Sequence, residues 1–130
     1  MAQTATKYGI LVAIDGSPAS DAAVVWAARE AVSRRMPITL MHVVAPVIGG
    51  WPVGQLYADM PEWQKDNAQH VIEHARKTLT ASLGESEAPE MHTEMVYASA
   101  VPTLIDASKE AWMIVVGSQG IGALGRLLLG

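Results

Sequence analysis

Residues 8–18 run Tyr-Gly-Ile-Leu-Val-Ala-Ile-Asp-Gly-Ser-Pro. The first seven are apolar without alternation, which is the pattern of a strand buried on both faces of a sheet. Asp15-Gly16-Ser17-Pro18 ends the run abruptly. Ser17 followed by Pro18 reads as the N-cap and first position of a helix, because proline has its φ preset there and its missing N–H is not needed. From Pro18 to about Arg35 the chain is rich in alanine, with Val24, Ala27, Ala28 and Ala31 on one face and Arg29, Glu30 and Ser33 on the other. Small residues on the inward face let such a helix lie close to a sheet. Trp26 falls near the polar side, and contact with a neighbouring helix or loop is expected for it.

The pattern then repeats. Pro37 closes the helix, and residues 38–44 (Ile-Thr-Leu-Met-His-Val-Val) form a second short strand. Residues 45–60 hold Pro46, Gly49, Gly50, Pro52 and Gly54 and are expected to be one long irregular connection, the kind that often serves as a lid. Pro61 opens a long amphipathic helix with Ala68, Val71 or Ile72, Ala75, Leu79 and Leu83 inward, stopped by Gly84. Residues 91–97 alternate weakly, as a half-exposed strand near a sheet edge would. A shorter helix is expected over 99–111, with Pro102 tolerable only in its first turn. Residues 112–116 (Trp-Met-Ile-Val-Val) are again continuously apolar and lead into Gly117. Together with 8–14 they are expected to be the most buried strands. The order β-α-β-α-β-α-β predicts an open, doubly wound, Rossmann-like parallel sheet with helices on both faces.

Composition narrows the function classes. The chain has 130 residues, half of them hydrophobic, so a disordered chain is excluded and one domain is expected over 1–130, with 1–7 as a flexible N-terminus. A net charge of −4 offers no footprint for a nucleic-acid backbone. Cysteine is absent, which excludes disulfides, thiol catalysis and cysteine-based metal sites. No run approaches a membrane span, and the N-terminal run is too short for a signal-peptide core, so a soluble cytoplasmic protein is expected.

In an open α/β sheet, ligands bind beyond the carboxyl ends of the strands, where strand order reverses. The two strands expected to be most buried end in Asp15-Gly16-Ser17 and in Gly117-Ser118-Gln119-Gly120-Ile121-Gly122. Five of the 11 glycines lie between Gly117 and Gly130. Glycine at that density allows backbone N–H groups to approach an anion closely, as in a phosphate cradle. A loop that merely needs positive φ angles is the plainer alternative. No Gly-Lys-Ser/Thr follows, so this is not a Walker A loop. The glycine turn follows the fourth strand, not the first as a dinucleotide fingerprint requires. For Asp15 the alternatives are a ligand contact, an Asx-type turn, or a charge at a helix N-terminus.

The Ile14-Asp15-Gly16-Ser17 turn, the Met41-His42-Val43-Val44 strand end and the Val115-Val116-Gly117-Ser118-Gln119-Gly120 stretch together resemble the universal stress protein family. Its ATP-binding members carry Gly, two residues, Gly, nine residues, Gly, then Ser or Thr. Gly117, Gly120 and Gly130 keep those intervals. The likeness runs from about Tyr8 to the last residue, and the alanine-rich first helix and Leu-Leu-Leu-Gly ending are most similar to actinobacterial members, many with two such domains in tandem. The Ser/Thr after the third glycine, the family's last helix and its fifth strand fall beyond Gly130. The resemblance therefore implies the N-terminal domain of a tandem protein, truncated at its C-terminus, within the wider adenine-nucleotide α-hydrolase-like fold.

Carried onto these residues, the resemblance implies Asp15 near the nucleoside and the backbone of Ala13 and Val43 beside adenine. It implies Gly117, Ser118, Gln119, Gly120, Ile121 and Gly122 around ribose and phosphates, with Gly130 closing the phosphate loop. Arg126 is the one cation near that loop, so the remaining phosphate charge would fall to backbone dipoles and a divalent metal, Mg or Mn, held by the ATP phosphates. The function implied is ATP-dependent regulation of stress response or growth, with a homodimer or a tandem-domain partner. The alternative is a structural or protein-interaction module with a degenerate pocket. No catalytic base for ATP hydrolysis is evident, so weak hydrolysis is the most that is expected. The Ser-Gly-Gly-x-Asp-Ser loop of ATP-pyrophosphate-cleaving relatives is absent. His70 and His74 have a spacing that could hold a metal, but no third ligand supports it and no metal site is assigned. His42 is expected to be a hydrogen-bonded core residue. Ser17 has no histidine placed to activate it.

Overall fold

A computed structural model describes residues 7–45, 47–48, 51–52, 62–85 and 88–117. Strand β1 (Ile10–Ala13) is followed by helix α1 (Pro18–Arg34), β2 (Ile38–Val44), a small hairpin of β3 (Val47–Ile48) and β4 (Trp51–Pro52), α2 (Glu62–Leu83), β5 (Met91–Tyr97), α3 (Ala100–Ser108) and β6 (Met113–Val116). The main sheet has the order β5-β2-β1-β6, and every pairing in it is parallel. The chain steps outward from β1 to β2 and β5, then returns to the other side of β1 with β6. Strand order therefore reverses between β1 and β6.

The first strand behaves as its composition dictates. All four residues of β1 are buried, with Ile10 and Val12 on one face of the sheet and Leu11 and Ala13 on the other. On the first face α1 lays Val24, Ala27, Ala28 and Ala31 against the sheet, joined by Ala75 and Leu79 of α2. On the second, Leu104 and Ala107 of α3 pack over Leu11, Ala13 and Met41. Alanine on the inner face of α1 leaves the large side chains of the core to the strands: Ile10, Ile38 and Leu40 are wholly buried. Burial of each such side chain stabilises the fold by about 1.5–3 kcal/mol.

Helix α1 begins as expected, with Ser17 as N-cap and its Oγ accepting from the Ser20 N–H at 3.1 Å. It ends at Arg34 because Arg35 turns left-handed, at φ 55°, and its N–H bonds back to Ala31 and Val32. Trp26 is half exposed on α1, at 50%, and thus packs less than expected. The 45–60 connection is not wholly irregular, since Val47 pairs with Pro52 and Ile48 with Trp51 antiparallel. The third helix is shorter than 99–111, ending at Ser108 before a turn.

One expectation is corrected. The 112–116 run reads as one of the most buried strands, yet every residue of β6 is only half-buried, because β6 forms an edge of the sheet among the described residues. Residues 38–44 take that interior place instead, lying between β1 and β5. An apolar run indicates that both faces are covered but says nothing of lateral neighbours.

Candidate functional site

The reversal of strand order brings the carboxyl ends of β1 and β6 together, with Ala13 opposite Val116 in register. Beyond β1, the half-buried Asp15 uses its Oδ1 to accept the Ser17 N–H at 2.9 Å, closing an Asx-type turn. Its own N–H donates to Ser20 Oγ at 3.2 Å. Gly16 makes this bend at φ 86°, a conformation open to glycine and strained for other residues. The turn therefore consumes most of the first donors of α1, leaving the Ala19 N–H without a partner among the described residues. The Ser17 N–H goes to Asp15, the Ser20 N–H to Ser17 Oγ, the Asp21 N–H to the Ser17 carbonyl, and Pro18 has none. An anion would find little to bind at this helix terminus.

Beyond β6, Gly117 is pressed against the same turn. A Cβ there would lie 2.6 Å from the carbonyl carbon of Ala19 and 2.8 Å from the nitrogen of Ser20. Packing against α1 thus demands glycine at 117, a requirement separate from any phosphate cradle. Ser118, Gln119, Gly120, Ile121, Gly122, Arg126 and Gly130 lie outside the described residues, so the remainder of that cradle carries no geometry.

The end of β2 forms the next wall. The pairing of β1 with β2 stops at Ala13 and Met41, closed by the Ile14 N–H donating to the Met41 carbonyl at 2.9 Å. Strand β2 continues to Val44, which stays paired with Tyr97 of β5. Ala13 is buried under α3, and Val43 packs on the same side. His42 is buried, as expected, and its Nδ1 lies 2.8 Å from the Ile14 carbonyl. A carbonyl can only accept, so Nδ1 carries the proton.

One polar residue at this end is not foreseen by the sequence pattern. Gln64, in the first turn of α2, is 94% buried, being only 6% exposed. Its Nε2 donates to the Ala45 carbonyl at 3.2 Å, and its Oε1 accepts from the Tyr97 hydroxyl at 3.3 Å. The spacing from Gln64 to the inward Ala68 is one helical turn, which is the signal that could have found it.

Two other features stand outside these contacts. His74 Nε2 sits 2.9 Å from Asp21 Oδ2, linking α2 to the first turn of α1. His70 and His74 both border a groove along the outer side of α2, but no group of three or more potential metal-binding side chains occurs among the described residues. A groove of about 470 Å³ lies at the opposite, amino-terminal end of the sheet, bordered by Arg35, Met36, Pro37 and Glu90. Its place conflicts with the rule that α/β sheets bind at their carboxyl ends, and the strand-order reversal is the better guide. No helix among the described residues is long and apolar enough to cross a membrane.

A parallel sheet with helices on both faces and a reversal of strand order between β1 and β6 defines a Rossmann-like α/β protein. Sequence comparison goes further: the family described as the universal stress protein family matches residues 9–130. The chain belongs to that family. It is 55% identical to a universal stress protein of Mycolicibacterium smegmatis over 130 residues, which is all of this chain and 44% of that relative. The chain thus spans less than half the length of that relative. Among solved structures, a universal stress protein from Archaeoglobus fulgidus in complex with dAMP superposes with a TM-score of 0.71 at 19% identity, covering 95% of this chain and 90% of that one. Another universal stress protein, in complex with cAMP, gives 0.64 at 21% identity, covering 95% and 82%. At such identities the likeness concerns the fold.

Proposed function

We propose that residues 1–130 form a single adenine-nucleotide-binding domain, with ATP as ligand, whose bound nucleotide biases conformation or association in a regulatory response to stress or growth conditions. The observation that carries this reading is the meeting of three chain segments at the β1/β6 reversal: the Asp15 turn, the open end of β2 at Val43, and the exit from β6 at Gly117. The relatives solved with dAMP and cAMP support the same ligand class.

Each segment has a chemical task. Asp15 Oδ1 is held by Ser17, and Oδ2 takes no hydrogen bond among the described residues, so it can accept from a ribose hydroxyl or the adenine amine. The backbone of Val43, with Ala13 beside it, offers a donor and an acceptor to a base edge. The α1 terminus is already capped, so the phosphates fall to the chain after Gly117, with Gly117–Gly122, Arg126 and Gly130 as the proposed cradle. A divalent cation, Mg or Mn, would be held by the phosphates and would neutralise part of their charge. The reading includes a cytoplasmic location and a homodimer or tandem-domain partner.

A second reading, a protein-interaction module with a degenerate pocket, has one observation in its favour: Trp26, Trp63 and Trp112 are exposed by 50%, 63% and 43%. Exposed aromatics of this size often mark contact surfaces. Calorimetric titration with ATP, together with analysis of nucleotide released on denaturing the purified protein, separates the two. Binding or co-purifying adenine nucleotide supports the first. A folded protein that releases none and shows no heat with millimolar ATP overturns it.

A further inference from the structure

Successive residues of a strand in a parallel sheet turn their N–H and C=O groups to alternate sides. In β2 the Met41 carbonyl accepts from Ile14, as that of Pro37 just before the strand accepts from Ile10, whereas the Val44 carbonyl accepts from Ala98 after β5. Odd-numbered residues of β2 therefore face β1, and Val43 presents its N–H and C=O along the line that β1 would have continued. The next rung of the ladder would run from the Val43 N–H to the Ile14 carbonyl. That rung is not made among the described residues. The Ile14 carbonyl is instead taken by the Nδ1–H of the buried His42, at 2.8 Å, while the chain leaves the sheet at Asp15.

We propose that His42 is a positioning residue. By claiming the Ile14 carbonyl with its side chain, it ends the β1–β2 ladder one rung early and keeps the Val43 amide open for an acceptor on a ligand. The acceptor class is a planar heteroaromatic edge with a ring nitrogen beside an exocyclic amine, which adenine carries. The ligand part of this inference rests on the nucleotide reading above; the ladder part does not. A leucine at 42 would leave the Ile14 carbonyl without its partner, and a buried carbonyl does not stay unpaired when a donor stands within reach. The Val43 N–H would then close the missing rung and be lost to the ligand.

Amide hydrogen exchange and ligand titration test the two parts separately. In the unaltered protein the Val43 amide should exchange at least about tenfold faster than the ladder-bound Met41 amide. His42→Leu should slow Val43 exchange about tenfold and weaken ATP about tenfold while leaving inorganic triphosphate unchanged. His42→Asn places a donor near the same position as Nδ1 and should restore both behaviours. A protected Val43 amide in the unaltered protein overturns the proposal without any variant being needed. So does a folded His42→Leu protein with unchanged exchange, or one in which ATP and triphosphate weaken equally. An asparagine variant that behaves like the leucine one has the same effect. Should the unaltered protein bind neither ATP nor triphosphate, the nucleotide reading falls, and the exchange comparison still decides the role of His42.

Discussion

A Cβ on Gly117 would stand 2.6 Å from the carbonyl carbon of Ala19, closer than such atoms can approach. The exit of the last described strand and the first turn of α1 are therefore fitted to one another through backbone alone. Gly117→Ala should force them apart and destabilise the protein by about 1–3 kcal/mol, the usual range for overpacking. Urea denaturation measures this as a lowered midpoint. Gly120→Ala should instead weaken ATP at an unchanged midpoint, if the glycine run serves the phosphates.

Asp15 has a local role at the Ser17 N–H and, in the function proposed above, a second role at the ligand; two substitutions separate them. Asp15→Asn keeps an oxygen for the Ser17 N–H but removes the charge; Asp15→Ala removes both. Loss of a hydrogen bond to a charged acceptor should cost the alanine variant about 1.5–3 kcal/mol in ATP binding. Inorganic triphosphate should bind it as before. Calorimetry giving equal losses for the two ligands would move Asp15 from the nucleoside to the phosphate end.

Ser17→Ala removes the oxygen that caps α1 at Ser20. Loss of such a cap costs about 1 kcal/mol. Thermal unfolding should register it as a lower melting temperature, and Ser17→Asp should recover most of the loss.

Tyr97→Phe deletes the hydroxyl that donates to Gln64 Oε1 at 3.3 Å. Because Gln64 is buried, its amide oxygen is left without that donor, and a loss of about 1 kcal/mol is expected. Substituting both residues, Gln64→Leu with Tyr97→Phe, should cost less than the sum of the single changes. A double-mutant cycle with no coupling would show that the pair does not act as a unit.

His74→Ala should change stability by less than about 1 kcal/mol, since its partner Asp21 and the ring itself are both partly solvated. Denaturation at low and high salt should show that small difference shrinking as salt rises.

Much of this architecture is legible in the amino-acid sequence, because single residues dictate it. The 8–14 run marks the central strand, Ser17-Pro18 marks the start of α1, and Pro37 with the following apolar stretch gives β2 at its observed bounds, Ile38–Val44. What escapes a reading of the sequence depends on lateral and long-range relationships. The edge position that 112–116 takes among the described residues is invisible in the run itself, since covered faces and an open side produce the same apolar pattern. The residue type of Gln64 argues against its burial, because a glutamine in a helix ordinarily faces water, and its one-turn spacing from Ala68 is the single sign to the contrary. Among the described residues, the Ala45 carbonyl and the hydroxyl of Tyr97 make the buried amide tolerable. The glycine at 117 suggests a ligand when read in sequence, whereas the nearer cause is a helix almost a hundred residues earlier in the chain.

The pairing of Ile10 with Met113 has a consequence for how the molecule is made. The central strand leaves the ribosome about a hundred residues ahead of one of its two neighbours. Until Met113–Val116 emerges, β1 has a bare flank of four apolar residues, and parallel pairing across such a sequence separation is slow to close. The nascent chain therefore carries an open strand edge throughout that interval, which is when a holding chaperone would matter most.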